Sequence, residues 1–269
     1  MVSPGDTVTG SIPVTNTTDE PRIFRVYLGD WVRTGDSTGY ELSDEGNPEP
    51  RSCREWVVYS PERATIEPGE ERDIAYELHI PDDPSLSGSY WAMVYIEGIP
   101  EEEPDLEQVT EEGTVSIGVR TVFRYAIQIY TTIEGTEFRE AAFATLNMEP
   151  TAESLNVTAV LENRGNVILQ PDVWLELSNS AGETVYINEH DGHTVLPESA
   201  RDFVFELRDL PIESGEYLVT VYADYGVPRL IAAQGRVNLN ITPPEEPDEQ
   251  PEETETEDET ADAPAEDSA

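Results

Sequence analysis

Apolar and polar residues alternate through most of this chain, with the two-residue period of strands that bury one face. Residues 7–15 set Val8, Ile12 and Val14 among polar neighbours, and 22–31 alternate Ile23, Arg25, Tyr27 and Gly29 with Phe24, Val26 and Leu28. Residues 74–79 place Ile74, Tyr76 and Leu78 against Ala75, Glu77 and His79. The longest run, 114–131, puts Val115, Ile117, Val119, Thr121, Phe123, Tyr125, Ile127 and Ile129 on one face, expected to be core. Ser116, Gly118, Arg120, Val122, Arg124, Ala126 and Gln128 fall on the other face, expected to be wet. Further strands are expected at 56–60, 138–146, 155–162, 173–177, 184–188, 203–207, 217–222 and 236–241, with a short one at 40–42 inside the polar excursion 34–54. No stretch carries a helical period of useful length.

The stretch 66–98 returns at 195–225. Arg72-Asp73-Ile74 answers to Arg201-Asp202-Phe203, Tyr76-Glu77-Leu78 to Phe205-Glu206-Leu207, and Ser87-Gly88 with Tyr90 to Ser214-Gly215 with Tyr217. Each copy is a turn, an alternating strand, a Pro-containing connection and a second strand opened by Ser-Gly, which is a hairpin of a β-sandwich. Seven strands per copy is the number expected of an immunoglobulin-like module. The predicted fold is therefore all-β: two immunoglobulin-like β-sandwich domains in tandem, 1–132 and 133–242, joined at Glu134-Gly135 by a turn too short to let them wander. Residues 243–269 hold 13 acidic residues, no basic one and no aromatic. Such a segment cannot bury enough apolar surface to offset its ordering entropy, and a disordered acidic tail is expected.

Charge narrows the choice of partner. The 15 basic and 57 acidic residues give a net charge of -42, and every basic residue is arginine. A field of that sign repels phosphate backbones and anionic lipid, which argues against nucleic acid and membrane surface as partners. Without the 13 tail carboxylates the charge is still -29. A carboxylate-dense, lysine-free surface points to a chain built for high salt, where screening removes the self-repulsion. No run reaches the 18 to 20 apolar residues of a membrane span. The opening residues, MVSPGDTVTG, already form a turn and an incoming strand, which leaves room upstream for an export signal and a first strand.

Candidate chemistry is sparse. Cys53 alone cannot form an internal disulfide, and it lies in polar surroundings that read as loop, a spare thiol. Glu189, His190, Asp191 and His193 lie within five loop residues and could hold zinc or another divalent ion, although a polar turn between strands would look the same. His79 falls on the polar phase of a strand. Asn16, Asn156 and Asn240 open glycosylation triplets of the kind that arise by chance in a Thr-rich chain. Trp31, Trp56, Trp91 and Trp174 are expected to fill the two cores, with an aromatic carbohydrate platform as the alternative. There is no Gly-x-Ser-x-Gly elbow, calcium loop or phosphate-cradling glycine loop, so neither enzymatic activity nor a cofactor is expected.

Several residues, taken in order, carry a resemblance. Pro4-Gly5-Asp6 leads to Ile12-Pro13-Val14-Thr15-Asn16, then Pro21 and a strand ending Asp30-Trp31. Ser60-Pro61 precedes Ile66-Glu67-Pro68-Gly69-Glu70, and a strand bearing Trp91 follows. Over about residues 4 to 130 this order resembles the first domain of the PapD-like periplasmic pilus chaperones. The second half, with Glu162-Asn163-Arg164-Gly165-Asn166, Val195-Leu196-Pro197 and Asp224-Tyr225-Gly226, resembles a more generic envelope sandwich. The resemblance implies two sandwiches set at an angle, outside the cytoplasm, that bind a partner without catalysis. In that family a chaperone lends a strand to an unfinished pilin while an Arg and a Lys in the interdomain cleft hold the pilin's terminal carboxylate. The strand that matches is 114–131. The Lys position falls at about Val122, and the nearest arginines, Arg120 and Arg124, are the substitutes able to fork onto a carboxylate. Their alternative is ordinary surface ion pairing.

Two functions follow. One is a periplasmic or secreted chaperone-like protein that engages a subunit of a surface fibre or envelope complex by strand pairing. The other is a structural or adhesive envelope protein whose sandwiches are spacers. Strand pairing needs an unpaired edge, whereas a spacer needs its edges blocked.

Overall fold

The computed structural model describes residues 1–32, 41–42, 49–100, 122–151, 154–190, 192–208 and 210–240. Arg120, Asp191, most of the excursion 34–54 and the tail 243–269 lie outside them. In the first half the strands are β1 (Thr7–Thr15), β2 (Arg22–Gly29), β3 (Trp31–Val32), β4 (Glu41–Leu42), β5 (Val57–Ser60), β6 (Arg63–Ile66), β7 (Glu71–His79), β8 (Ser89–Pro100) and β9 (Phe123–Thr132). Sheet order β1-β7-β5 faces order β6-β2-β8-β9, and β3 and β4 form a separate ribbon. Alternation decides the orientation: Phe24 and Val26 are buried while Arg25 between them is exposed, and Ala92, Val94 and Ile96 point into the same core.

The second half contributes β10 (Ala141–Pro150), β11 (Ser154–Asn163), β12 (Asp172–Ser178), β13 (Thr184–His190), β14 (Ser199–Arg208), β15 (Gly215–Asp224) and β16 (Ile231–Leu239). Order β10-β11-β14 packs on order β13-β12-β15-β16. The pattern of β11 is the plainest in the chain, with Leu155, Val157, Ala159 and Leu161 fully buried against Phe203, Phe205 and Leu207 of β14. Each such side chain gains about 1.5–3 kcal/mol from leaving water, and Leu161→Ala would cost about 2–5 kcal/mol because the cavity cannot fully close. The repeat is visible in three dimensions: β7 pairs with β1, which leads directly into the buried Asn16, and β14 pairs with β11, which ends in the buried Asn163.

Those asparagines, Asn16 and Asn163, make matching bonds. Asn16 Nδ2 donates to the carbonyls of Glu20 and Ile66, both at 2.8 Å, and its Oδ1 accepts from the Thr18 N–H. Asn163 Nδ2 donates to the carbonyls of Val167 at 2.8 Å and Val195 at 3.0 Å, and its Oδ1 accepts from the Gly165 N–H. A short side chain with two donors and one acceptor group is what such a corner needs, because the turn's own backbone groups point away from any ladder.

Two expectations from sequence do not hold. Cys53 is wholly buried in the first core, and burial pushes its thiol up to about 12. It precedes the one-turn 3-10 helix Arg54–Trp56, and its backbone is fixed by hydrogen bonds to Trp91 and Trp56, so a polar neighbourhood in sequence becomes an inward-facing crossing in space. The tryptophans do not simply fill the two cores. Trp56 packs partly against the first core and on Tyr90, Trp174 stacks on Tyr222 at the surface of its sheet, and Trp31 and Trp91 belong to a third cluster between the sandwiches.

Candidate partner-binding edge

The third cluster is where the two sandwiches meet. Trp31, Trp91, Met93 and Tyr95 on the outer face of the β2-β8 sheet are covered by Leu196 and Ile168 of the second half. The Trp91 indole N–H donates to the Trp31 carbonyl at 2.7 Å. Backbone bonds clamp the joint. Ser89 N–H donates to the Asn166 carbonyl at 2.9 Å, and Ile168 N–H donates to Ser89 Oγ at 3.0 Å. Gly88 N–H donates to Thr136 Oγ1 at 2.9 Å, and the Asn166 side chain holds both the Thr136 carbonyl and the Phe138 N–H. Gly88 has φ +72°, and a Cβ there would overlap the Asn166 carbonyl, so only glycine fits. Beside the joint, Asp30 is a buried carboxylate that accepts from Ser52 Oγ and pairs with Arg54 at 3.6 Å, which compensates its desolvation.

β9 borders the first sandwich and carries the partner-binding candidates. β8 pairs with it along its whole length. On its other side, among the described residues, only Val2 covers it, bridging Ile133 in parallel and bonding Thr132 O at 3.0 Å. The edge from Phe123 to Thr131 is open among the described residues. Its core-facing phase fades toward that open end: Ile129 is 9% exposed, Ile127 half-buried, Tyr125 61% and Phe123 64% exposed. Among its described residues, the face expected to be core is at least partly buried only from Ile127 onward. The two rings line, with Thr15–Thr18, Arg22 and Phe24, a groove of about 80 Å³ at the mouth of the sandwich.

Val122 is exposed just ahead of β9, and Arg120 lies outside the described residues. Arg124 is on the opposite phase, the face that continues toward Tyr95, Met93 and Trp91. Its guanidinium bonds Glu97 across the ladder at 3.2 Å and sits 5.8 Å from the Tyr27 ring centre. The Glu97 hydrogen bond, followed by Tyr27, holds its proton more firmly than usual. Tyr95 stacks on Tyr27 at 5.1 Å; its hydroxyl is buried, has no partner among the described residues, and is pushed up by burial.

The histidine segment falls at the end of β13. Glu189 and His190 close the strand, and His193 follows; the two imidazoles meet edge to face at 4.8 Å and both lie against Phe203. Among the described residues no three His, Cys, Asp or Glu side chains are grouped to hold an ion. His79 is half exposed, between Thr7 and Glu77, as its strand phase implies. Sequence reasoning missed the exposure of Phe123 and Tyr125 and the joint around Asn166. The Gly165-Asn166 pair was a local signal for the joint, but its partners lie far off in sequence, Ser89 about 80 residues away and Thr136 and Phe138 about 30.

No family model matches the chain, and no curated protein does. Among solved structures it is similar to a chain from a chaperone-tip adhesin complex of CFA/I fimbriae biogenesis, at 16% identity and TM-score 0.44, over 87% of this chain and 93% of that one. It is similar to the CupB2 chaperone of Pseudomonas aeruginosa at 13% identity and TM-score 0.41, over 86% and 92%. The chaperone DraB of E. coli stands at 13% and 0.40, over 86% and 92%.

Proposed function

We propose that this protein is a non-enzymatic, chaperone-like binding protein of the periplasm or cell exterior, and that it engages a protein subunit of a surface fibre or envelope complex by strand addition at β9. The observation that carries the reading is the open β9 edge with two aromatic rings, Phe123 and Tyr125, left outside the core on its apolar phase. A partner strand laid along that edge would take up its unpaired N–H and C=O groups and cover both rings. The resemblance of residues 4–130 to the PapD-like chaperones supports the same mode. Arg124, with Val122 beside it, is placed to meet a partner's carboxylate, Arg124 sharing its fork with Glu97. A spacer would need this edge blocked by charge, proline or a neighbouring element; over Phe123–Thr131 the described part of β9 carries one charge, Arg124, on the face opposite the two rings, and neither a proline nor a described strand on its outer side.

The test compares the intact chain with Phe123→Ser, Tyr125→Ser in capture from envelope extract, followed by identification of the retained proteins. Covering two rings that are now more than half exposed is worth about 1–2 kcal/mol each, so the double variant should bind at least tenfold more weakly with little change in melting temperature. Equal retention of the same partners by both chains would end the strand-addition reading.

A further inference from the structure

Arg63 on β6, Arg25 on β2, Glu97 on β8 and Arg124 on β9 are register partners in one row across the four-stranded sheet. Arg25 and Arg63 are directly opposite each other, an arrangement that destabilises a sheet when nothing lies between the charges. Neither makes an ion pair or a side-chain hydrogen bond among the described residues. Six other described arginines, in contrast, each hold a carboxylate. Carboxylates outnumber arginines 57 to 15 in this chain; Arg22, Arg72, Arg139 and Arg229 also make no ion pair among the described residues, but in the described ladders only Arg25 and Arg63 set two arginines directly opposite each other.

The surroundings give the pair a shape. Arg25 lies 5.4 Å from the Tyr27 ring centre, and Arg124 approaches the same ring at 5.8 Å. A depression of about 530 Å³ is lined by Arg25, Arg63, Tyr27, Tyr59, Ile99 and one acid, Glu62. The Tyr59 hydroxyl is tied to the Val26 carbonyl at 3.3 Å, which fixes that wall. One rung further along the strands, Ile23 and Ile99 are paired, and Val122 follows next to them on the β9 side, so an apolar rung adjoins the cationic one. Two rungs on one face are two residues apart, about 6.8 Å.

We propose that this face is a docking site for an extended acidic peptide segment of a partner protein, in which an Asp or Glu carboxylate lies between Arg25 and Arg63 and a large apolar residue two positions away rests on Ile23, Ile99 and Val122. Charge complementarity selects the occupant: two guanidinium forks accept a carboxylate bidentately, and the chain's remaining surface repels anions except where such forks converge. The spacing of the rungs equals the i, i+2 spacing of an extended chain, which matches a peptide better than a compact anion. The surface is the sheet's outer face rather than the β9 edge; it shares only Val122 with the strand-addition reading, and its carboxylate site at Arg25 and Arg63 is tested separately from that reading.

The probe is the synthetic peptide acetyl-Thr-Glu-Thr-Leu-Thr-amide, titrated into the full chain in salt sufficient to keep it folded and followed by the backbone amide signals of Arg25, Arg63 and Ile99 in nuclear magnetic resonance. The expected result is saturable movement of those three signals. Affinity should fall at least tenfold for Arg25→Gln, for Arg63→Gln and for the peptide with Gln in place of Glu, and should be unchanged by Phe123→Ser, Tyr125→Ser. Because both arginines are exposed and make no ion pair among the described residues, their glutamine variants should fold, and their spectra away from the site report it directly. Absence of saturable movement at these residues, or equal binding by the Gln peptide or by both arginine variants, overturns the proposal.

Discussion

Replacing Asn163 by alanine removes a side chain that closes the corner between β11 and the turn at Val195. Three hydrogen bonds go with it, two donated to the Val167 and Val195 carbonyls and one accepted from the Gly165 N–H. Each bond is worth about 1 kcal/mol net, and each buried partner left unsatisfied adds about 1 kcal/mol or more. Asn163 is 1% exposed, so water can reach these groups only by opening the corner. The expected loss is about 3–5 kcal/mol, which in a sandwich of about 100 residues lowers the melting temperature by roughly 15–25 °C. Asn163→Asp keeps the acceptor for Gly165 but turns a carboxylate on two carbonyls, and it should cost at least as much. Asn16→Ala removes the equivalent bonds from the first sandwich and should destabilise by a similar amount. Calorimetry of the four chains in molar salt measures all of this. A loss below about 1 kcal/mol for Asn163→Ala would show that the corner is held by the flanking ladder instead, and the reasoning from unsatisfied groups would be wrong.

Cys53 predicts an alkaline limit. Its thiol ionises near 9.0 when free and about 12 in the fold, so the native state keeps a proton that the unfolded chain has lost. Its contribution is fully present below pH 9 and is lost as pH rises from 9 to 12, up to about 4 kcal/mol at about 1.4 kcal/mol per unit. Melting temperatures of the parent should therefore fall more steeply between pH 9 and 11 than those of Cys53→Ala, and parallel curves would refute the assignment. Salt gives the second test: the screening length rises from about 3 Å at 1 M to about 30 Å at 0.01 M, and a chain of net charge -42 should melt at progressively lower temperature as salt is withdrawn. A melting temperature that is flat or rises on dilution would remove the case for salt adaptation.

The layered fold was readable because the strands that build it obey a simple period. β11 and β14 bury every second residue, and the repeated Arg-Asp and Ser-Gly hairpins mark two modules in the sequence itself. Burial at Phe123 and Tyr125 was misjudged for a definite reason: alternation reports which side a residue points to, not whether an opposite sheet extends far enough to cover it. Cys53 was misjudged because its neighbours in sequence are polar while its neighbours in space, across the crossing to Trp91, are not. The row of Arg63, Arg25, Glu97 and Arg124 could not be read at all. It depends on the register of four strands spread over about 100 residues, and register is a property of the ladder rather than of any one segment.

Val2 gives the edge of β9 a direction. By bonding Thr132 and Glu134 it occupies one end of the ladder, and the run Phe123–Thr131 is free among the described residues. At about 3.3 Å per residue that run is roughly 30 Å long. A strand added there that reaches Thr131 meets Val2, so the register of the guest is fixed from that end. That contact also sets where counting starts, since a guest shifted by one residue would present its other face to Phe123 and Tyr125.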